Sequence, residues 1–291
     1  MTLNSNVVVQ TETSPTNTLE LAGAMDGAGG FTRAGGGFVQ VTGGANTYSG
    51  PTIVNGGASL WIGKTVGGTG TLGVGAVTNN GTLYANSASP GGSVVVNNGT
   101  LYCNPPLLQA ARIISAGTLH GTSSLQVANG LVNSGTLHAY SGDFTTSVVT
   151  NYGTLNLLTN VLSYGQFVNH GTLNFQKAMA VATPLIFNGG TVHLAEGSST
   201  LNLAAPITVN TNFNLSSVST STTEVSNVVS GPGGITRSGD GWCFVTGDAN
   251  TYTGPTIVNG GKTLWGGKPG GLVSARLGPG AITNNGTLYF D

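Results

Sequence analysis

Apolar and polar residues alternate along this chain in short bursts, and between residues 79 and 194 the bursts return at a nearly fixed step. Aligned on the first Asn of Asn79-Asn80-Gly81-Thr82-Leu83, the phrase recurs at Asn97, Ser115, Asn133, Asn151, Asn169 and Asn188, in five steps of 18 residues and one of 19. The fifth position of each phrase is Leu83, Leu101, Leu119, Leu137, Leu155, Leu173 and Val192, and the seventh is Ala85, Cys103, Gly121, Ala139, Leu157, Phe175 and Leu194. Small or apolar residues at alternate positions predict a strand with one buried face. A third apolar column, Val95, Ile113, Leu131, Val149, Phe167 and Leu185, stands just before the Asn-x-Gly corner. The only helix-like run, Leu107 to Arg112, lies in phase with the coils and reads as loop and strand.

A strict short period is the mark of a solenoid, each repeat one coil stacked on the last. Eighteen extended residues span about 60 Å, so three corners leave sides of about four or five residues. The chain therefore reads as all-β: a single right-handed, three-sided parallel β-helix, with about 18 residues per coil in the middle, over coils at 79–187. Asn79, Asn97, Asn133, Asn151, Asn169 and Asn188 are the expected structural corners. Asn and Gly there tolerate positive φ, and stacked amides can hydrogen-bond from coil to coil.

A longer repeat overlies the short one. Residues 27–64 return at 231–268 with an offset of 204, and residues 45–57 match 249–261 at twelve of thirteen positions. Thr78 to Tyr84 recurs unchanged as Thr283 to Tyr289. Residues 1–291 are expected to form one continuous solenoid cut from a longer repetitive protein. Both ends fall inside the pattern without a polar capping coil, and bare ends predict end-to-end self-association.

Composition narrows the function. Charged residues make up 6% of the chain and the net charge is −1, with no basic patch, so nucleic acid is not an expected partner. No apolar run reaches the roughly 18 residues of a span, so the chain is not expected to insert in a membrane. The first residues carry neither a basic nor an apolar signal-peptide region. Cys103 and Cys243 fall in inward columns too far apart to bridge, which predicts two free buried thiols.

Gly29-Gly30-Phe31-Thr32-Arg33, then Val41 to Gly57 with Asn46-Thr47-Tyr48-Ser49-Gly50-Pro51-Thr52-Ile53-Val54-Asn55 at its heart, resembles the autotransporter-associated β-strand repeat, also called the passenger-associated transport repeat of bacterial autotransporters. The second copy, Gly233 to Leu264, resembles it equally. The resemblance implies a parallel β-helix that is secreted or displayed on the extracellular side of a bacterial outer membrane, with no catalytic residues in the repeat. It also implies a β-barrel translocator, which would be encoded outside this segment.

Position six of each phrase points outward and reads Tyr84, Tyr102, His120, His138, Asn156, Asn174 and His193. Tyr84, Tyr102, His120, His138 and His193 are the candidate ligand-facing ladder, with His120 directly below His138. A zinc site usually needs three or four ligands, so the pair reads first as a register-holding stack, and no metal or cofactor is expected. The acidic residues are scattered. Asp240 and Asp248 come nearest to a glycosidase pair, but their equivalents in the first copy are Gly36 and Gly44. Trp61 and Trp265 occupy equivalent outward or corner places. Trp242 stands where the first copy has Phe38 and reads as packing variation. The expected function is a non-enzymatic stalk. An adhesin binding glycan or a host surface through outward Tyr, His and Trp residues is second, and a polysaccharide-cleaving enzyme third.

Overall fold

The computed structural model describes residues 1–12, 18–64, 70–86, 94–104, 108–122, 125–140, 144–158, 163–270 and 275–291. Asp143 and Leu107 lie outside the described residues. Every element among them is a β-strand, the strands pair in parallel, and the chain is a β-solenoid. It divides into two compact units, Met1–Ser147 and Val148–Asp291.

In the first unit the strands that follow each Asn-x-Gly corner stack in strict register. Thr82–Ala85, Thr100–Cys103, Thr118–Gly121 and Thr136–Ala139 pair like with like, Thr on Thr and Leu on Leu. The strands that enter the corners, Val77–Asn79, Val94–Asn97, Arg112–Ser115 and Leu131–Asn133, form a second sheet. A third side is made by Leu108–Ala110 and Leu125–Val127. Leu108–Ala110 and Arg112–Ser115 are thus strands within the run that looked helix-like. The inward columns are closed to solvent from Leu83 through Leu137 and from Val95 through Leu131. The first long block continues these sheets, with Phe31–Gly35 on Thr52–Val54 and Phe38–Val41 on Ser59–Ile62, which carries Thr82–Ala85.

The second unit repeats the plan with three full sheets. Thr154–Leu157, Thr172–Phe175 and Thr191–Leu194 stack in register, and the same sheet continues through Phe213–Ser217, Ile235–Arg237, Thr256–Val258 and Ile282–Asn284. The next side along the chain is Met179–Val181, Thr200–Leu203, Thr222–Val225, Trp242–Val245, Thr263–Gly266 and Thr287–Phe290. The third contains Ser163–Asn169, Leu185–Asn188, Ile207–Thr211 and Val229–Ser230. Between Val245 and Thr256 the chain rounds the coil without forming a strand. The strand Thr191–Leu194 and its sequence counterpart Thr287–Phe290 lie on different, consecutive sheets of this unit.

Two corner expectations are corrected. Gly81, Gly99, Gly117, Gly135 and Gly171 at the corners do not adopt positive φ. They are required because coils approach closely there: a Cβ on Gly99 would lie 2.0 Å from the Gly81 carbonyl oxygen, and Gly117, Gly135 and Gly171 meet the preceding corner in the same way. Asn188 is not a sixth buried corner. The 19-residue step shifts the register so that Phe187 pairs with Asn169 and takes the inward place, leaving Asn188 half-exposed. The turn after it is made by Gly189 and Gly190 at φ +107° and +81°.

Candidate functional site

Three side-chain systems were candidates for chemistry, and each is built by the stacking of coils. The first is the corner ladder. Asn79, Asn97, Ser115 and Asn133 in the first unit, and Asn151 and Asn169 in the second, are fully buried. Asn79 Nδ2 donates to Asn97 Oδ1 at 2.7 Å and to the Thr100 carbonyl at 2.9 Å. Asn97 Nδ2 donates to Ser115 Oγ and to the Thr118 carbonyl, both at 3.0 Å. Asn151 repeats the pattern toward Asn169, at 2.8 Å, and the Thr172 carbonyl, at 3.1 Å. The Asn79, Asn97 and Asn151 Nδ2 groups are thus bonded to a side-chain oxygen and a strand carbonyl, which offsets the desolvation cost of burying them.

The second is the outward ladder. Strand register places Trp61, Tyr84, Tyr102, His120 and His138 in one column. Tyr84 and Tyr102 stack at 4.8 Å and 5°, Tyr102 and His120 at 4.6 Å and 7°, and His120 and His138 at 5.0 Å and 7°. Trp61 leans on Tyr84 at 5.0 Å, and Phe38 meets Trp61 edge-on. Tyr140 flanks both imidazoles at 5.8 Å, its hydroxyl 3.3 Å from His120 Nδ1. Burial and the neighbouring His138 hold His120 below the usual imidazole range, which favours its neutral form. From Tyr84 to His138 adjoining rings cover each other's facing surfaces. His193 stands in the second unit with Asn174 and Ser216 as ladder neighbours, its Nδ1 3.1 Å from Ser216 Oγ.

The third system lies within the long repeat and escaped sequence reasoning. Arg33 and Arg237 are both 0% exposed. Arg33 Nε donates to the Ser59 carbonyl at 3.0 Å, and its Nη2 to Thr11 Oγ1 at 3.0 Å and to the Gly37 carbonyl. Arg237 answers with Nε to the Thr263 carbonyl and Nη1 to the Leu215 carbonyl, both at 3.2 Å, and Nη2 to the Gly241 carbonyl. Each guanidinium pins neighbouring coils through carbonyl oxygens. The motif's Asn and Tyr have matching roles. Asn46 Oδ1 accepts from the Met25 amide, and its Nδ2 donates to the Gly43 and Thr71 carbonyls, spanning three successive passes of the chain. Asn250 does the same with Val229, Gly247 and Arg276. Tyr48 and Tyr252, fully buried, share a 2.6 Å hydrogen bond with Thr52 and Thr256.

The acidic residues join this system. Glu20 accepts from Thr42 Oγ1 at 2.7 Å and pairs with Lys64 at 3.0 Å. Glu224 accepts from Thr246 Oγ1 at 3.0 Å and pairs with Lys268 at 3.2 Å, so the triad recurs at the same offset of 204. Asp240 is engaged by Lys262, a pair that the first copy lacks. Cys103 and Cys243 are free and buried. Burial pushes the Cys243 thiol to about 11, with Arg237 drawing it down, so it is protonated at neutral pH. Among the described residues no cluster of three metal-ligating side chains forms. No helix among them is long and apolar enough to cross a membrane.

Trp242 departs from its sequence reading as packing variation. Cys243 faces inward, so Trp242 faces outward, and it is 50% exposed. The alternation of the strand already carried that information. No protein-family model, curated protein or solved structure matches the chain.

Proposed function

We propose that this chain is a structural stalk segment of a large bacterial surface or secreted protein, and that it works by holding length and stiffness without catalysis. The observation that carries this reading is the direction of its polar and aromatic side chains. The Asn ladder, the Tyr/His stack and the Arg pins direct hydrogen bonds and ring faces to neighbouring coils. Such a chain resists bending and peeling because every coil is tied to its neighbours by backbone and side-chain ladders at once. Coil-by-coil growth from one folded turn also suits passage of an unfolded chain out of a cell, in keeping with the resemblance to export-linked repeats.

Protease treatment of intact source cells, followed by immunodetection of this segment, tests the reading. The stalk reading expects the epitope to be lost or shortened from whole cells, or to be found in the medium. Full protection inside intact cells would overturn it. An adhesive role is the second reading, and the half-exposed Trp242 is the observation that favours it.

A further inference from the structure

The two long blocks differ at buried positions, Phe31 against Ile235, Val39 against Cys243 and Ile62 against Gly266, and several of their outer differences gather on one patch. Asp240, Trp242, Phe244 and Lys262 stand where the first copy has Gly36, Phe38, Gln40 and Ala58. All four changes fall around the strands Trp242–Val245 and Thr263–Gly266, and they set the exposed Trp242 and an added Asp240–Lys262 pair where the first copy has Phe38, Gly36 and Ala58. The ring of Trp242 is 6.5 Å from those of Phe244 and Trp265, against 4.6–5.0 Å within the Tyr/His stack, and its partner in the strand ladder is Thr222, which has no ring to cover it. Half of its surface remains open. The Asp240–Lys262 pair lies on one side, and the Lys268–Glu224 pair on the other, with Lys268 Nζ 5.9 Å from the Phe244 ring centre.

We propose that this patch binds a neutral polysaccharide, a pyranose ring packing its C–H face on the Trp242 indole while its hydroxyls reach Asp240, Lys262 and Lys268. The chemistry of the rim selects the class. Each of the two lysines has a carboxylate partner, so the patch carries no surplus positive charge to attract a phosphate or a nucleic acid. The strand Trp242–Val245 is paired on both sides, so no backbone edge is free for a peptide to add as a strand. What remains is an open, amphipathic aromatic face ringed by donors and acceptors. Trp in such a setting carries contact area at low entropic cost, and a ligand with an apolar face and a hydroxyl rim matches it. This site is separate from the Tyr/His column, whose adjoining rings cover each other.

Isothermal titration calorimetry of the whole chain with cello-, chito- and manno-oligosaccharides tests the proposal. At least one series is expected to bind with a Kd of about 0.1–1 mM. Trp242→Ala should weaken that binding by about tenfold or more, and Trp242→Phe, which restores the residue of the first copy, should give an intermediate loss with unchanged circular dichroism. Binding by none of the three series would overturn the proposal, as would binding that survives Trp242→Ala. Trp242-dependent binding confined to a peptide or to a polyanion such as heparin would also overturn it. These outcomes are independent of the cell-surface experiment, since an intracellular chain could bind glycan and a displayed stalk could fail to.

Discussion

Blocks 27–64 and 231–268 are near-copies that meet their neighbours in the same way and yet differ in detail. In the first, the second strand pair, Phe38–Val41 and Ser59–Ile62, carries the corner strand Thr82–Ala85 onward. In the second, Trp242–Val245 and Thr263–Gly266 likewise carry Thr287–Phe290. The Tyr–Thr bond and the Glu–Lys–Thr triad recur at the offset of 204. The Arg pin and the Asn clamp recur with one partner changed each: Thr11 Oγ1 gives way to the Leu215 carbonyl, and Thr71 to Arg276. These bonds reach residues outside the block, so the block is held through the coils it is stacked upon, and on its outer surface the copies part at Trp242.

The same substitution made in both blocks tests how alike they are. The largest effect is expected at the Arg pins. Arg237→Met removes bonds to the Thr263, Leu215 and Gly241 carbonyls, and Arg33→Met removes bonds to the Ser59 and Gly37 carbonyls and the Thr11 hydroxyl, so each should cost about 3 kcal/mol in denaturant unfolding. Loss at only one site would mean that the two pins are not equivalent. Gly50→Ala and Gly254→Ala are of similar size. Each Cβ would lie 2.4 Å from the Gly29 or Gly233 carbonyl carbon, so both should lose about 3 kcal/mol. A tolerated alanine at either would show that the coils can part there. Tyr48→Phe and Tyr252→Phe remove one buried hydrogen bond each and should cost about 1 kcal/mol alike, read as a shift in unfolding midpoint at constant slope.

The smallest effect separates the copies by pH. Lys262 holds the Asp240 carboxyl below the ordinary aspartate range, through its hydrogen bond first and its charge second. A depressed carboxylate stabilises the fold above its unfolded pKa of about 3.9, and that contribution is lost as pH falls through the lower folded value. The first copy has Gly36 there and carries no such term. Carboxyl NMR titration of Lys262→Met should return Asp240 to the ordinary range, and an unchanged titration would remove Lys262 as the cause.

The period of 18 made much of this legible. It fixes register, so the buried columns, the buried Asn corners and the stacking of His120 below His138 follow from counting. The single extra residue before Asn188 defeated that count, because one inserted position moves Phe187 into the inward place. The Arg pins were hidden for another reason. Alternation assigns an arginine to a face, but only three dimensions reveal carbonyls waiting to receive it, since no acidic residue lies beside it in sequence. Glu20 and Lys64 are likewise 44 residues apart and meet only because two coils separate them. Gly99 was chosen correctly as a corner but for the wrong cause, crowding by the neighbouring coil rather than backbone freedom.

The second unit turns its pattern by one side. The corner strand Thr191–Leu194 lies on one side of the coil, and the equivalent strand Thr287–Phe290 lies on the next. The change is complete before the block begins, because Phe213–Ser217 and Thr222–Val225 already carry its two strand pairs, as Val7–Thr11 and Thr18–Leu21 carry those of the first copy. The stretch between Leu194 and Phe213 thus acts as an indexing step: a stripe of side chains on one side of the coil before it emerges on the adjacent side beyond it.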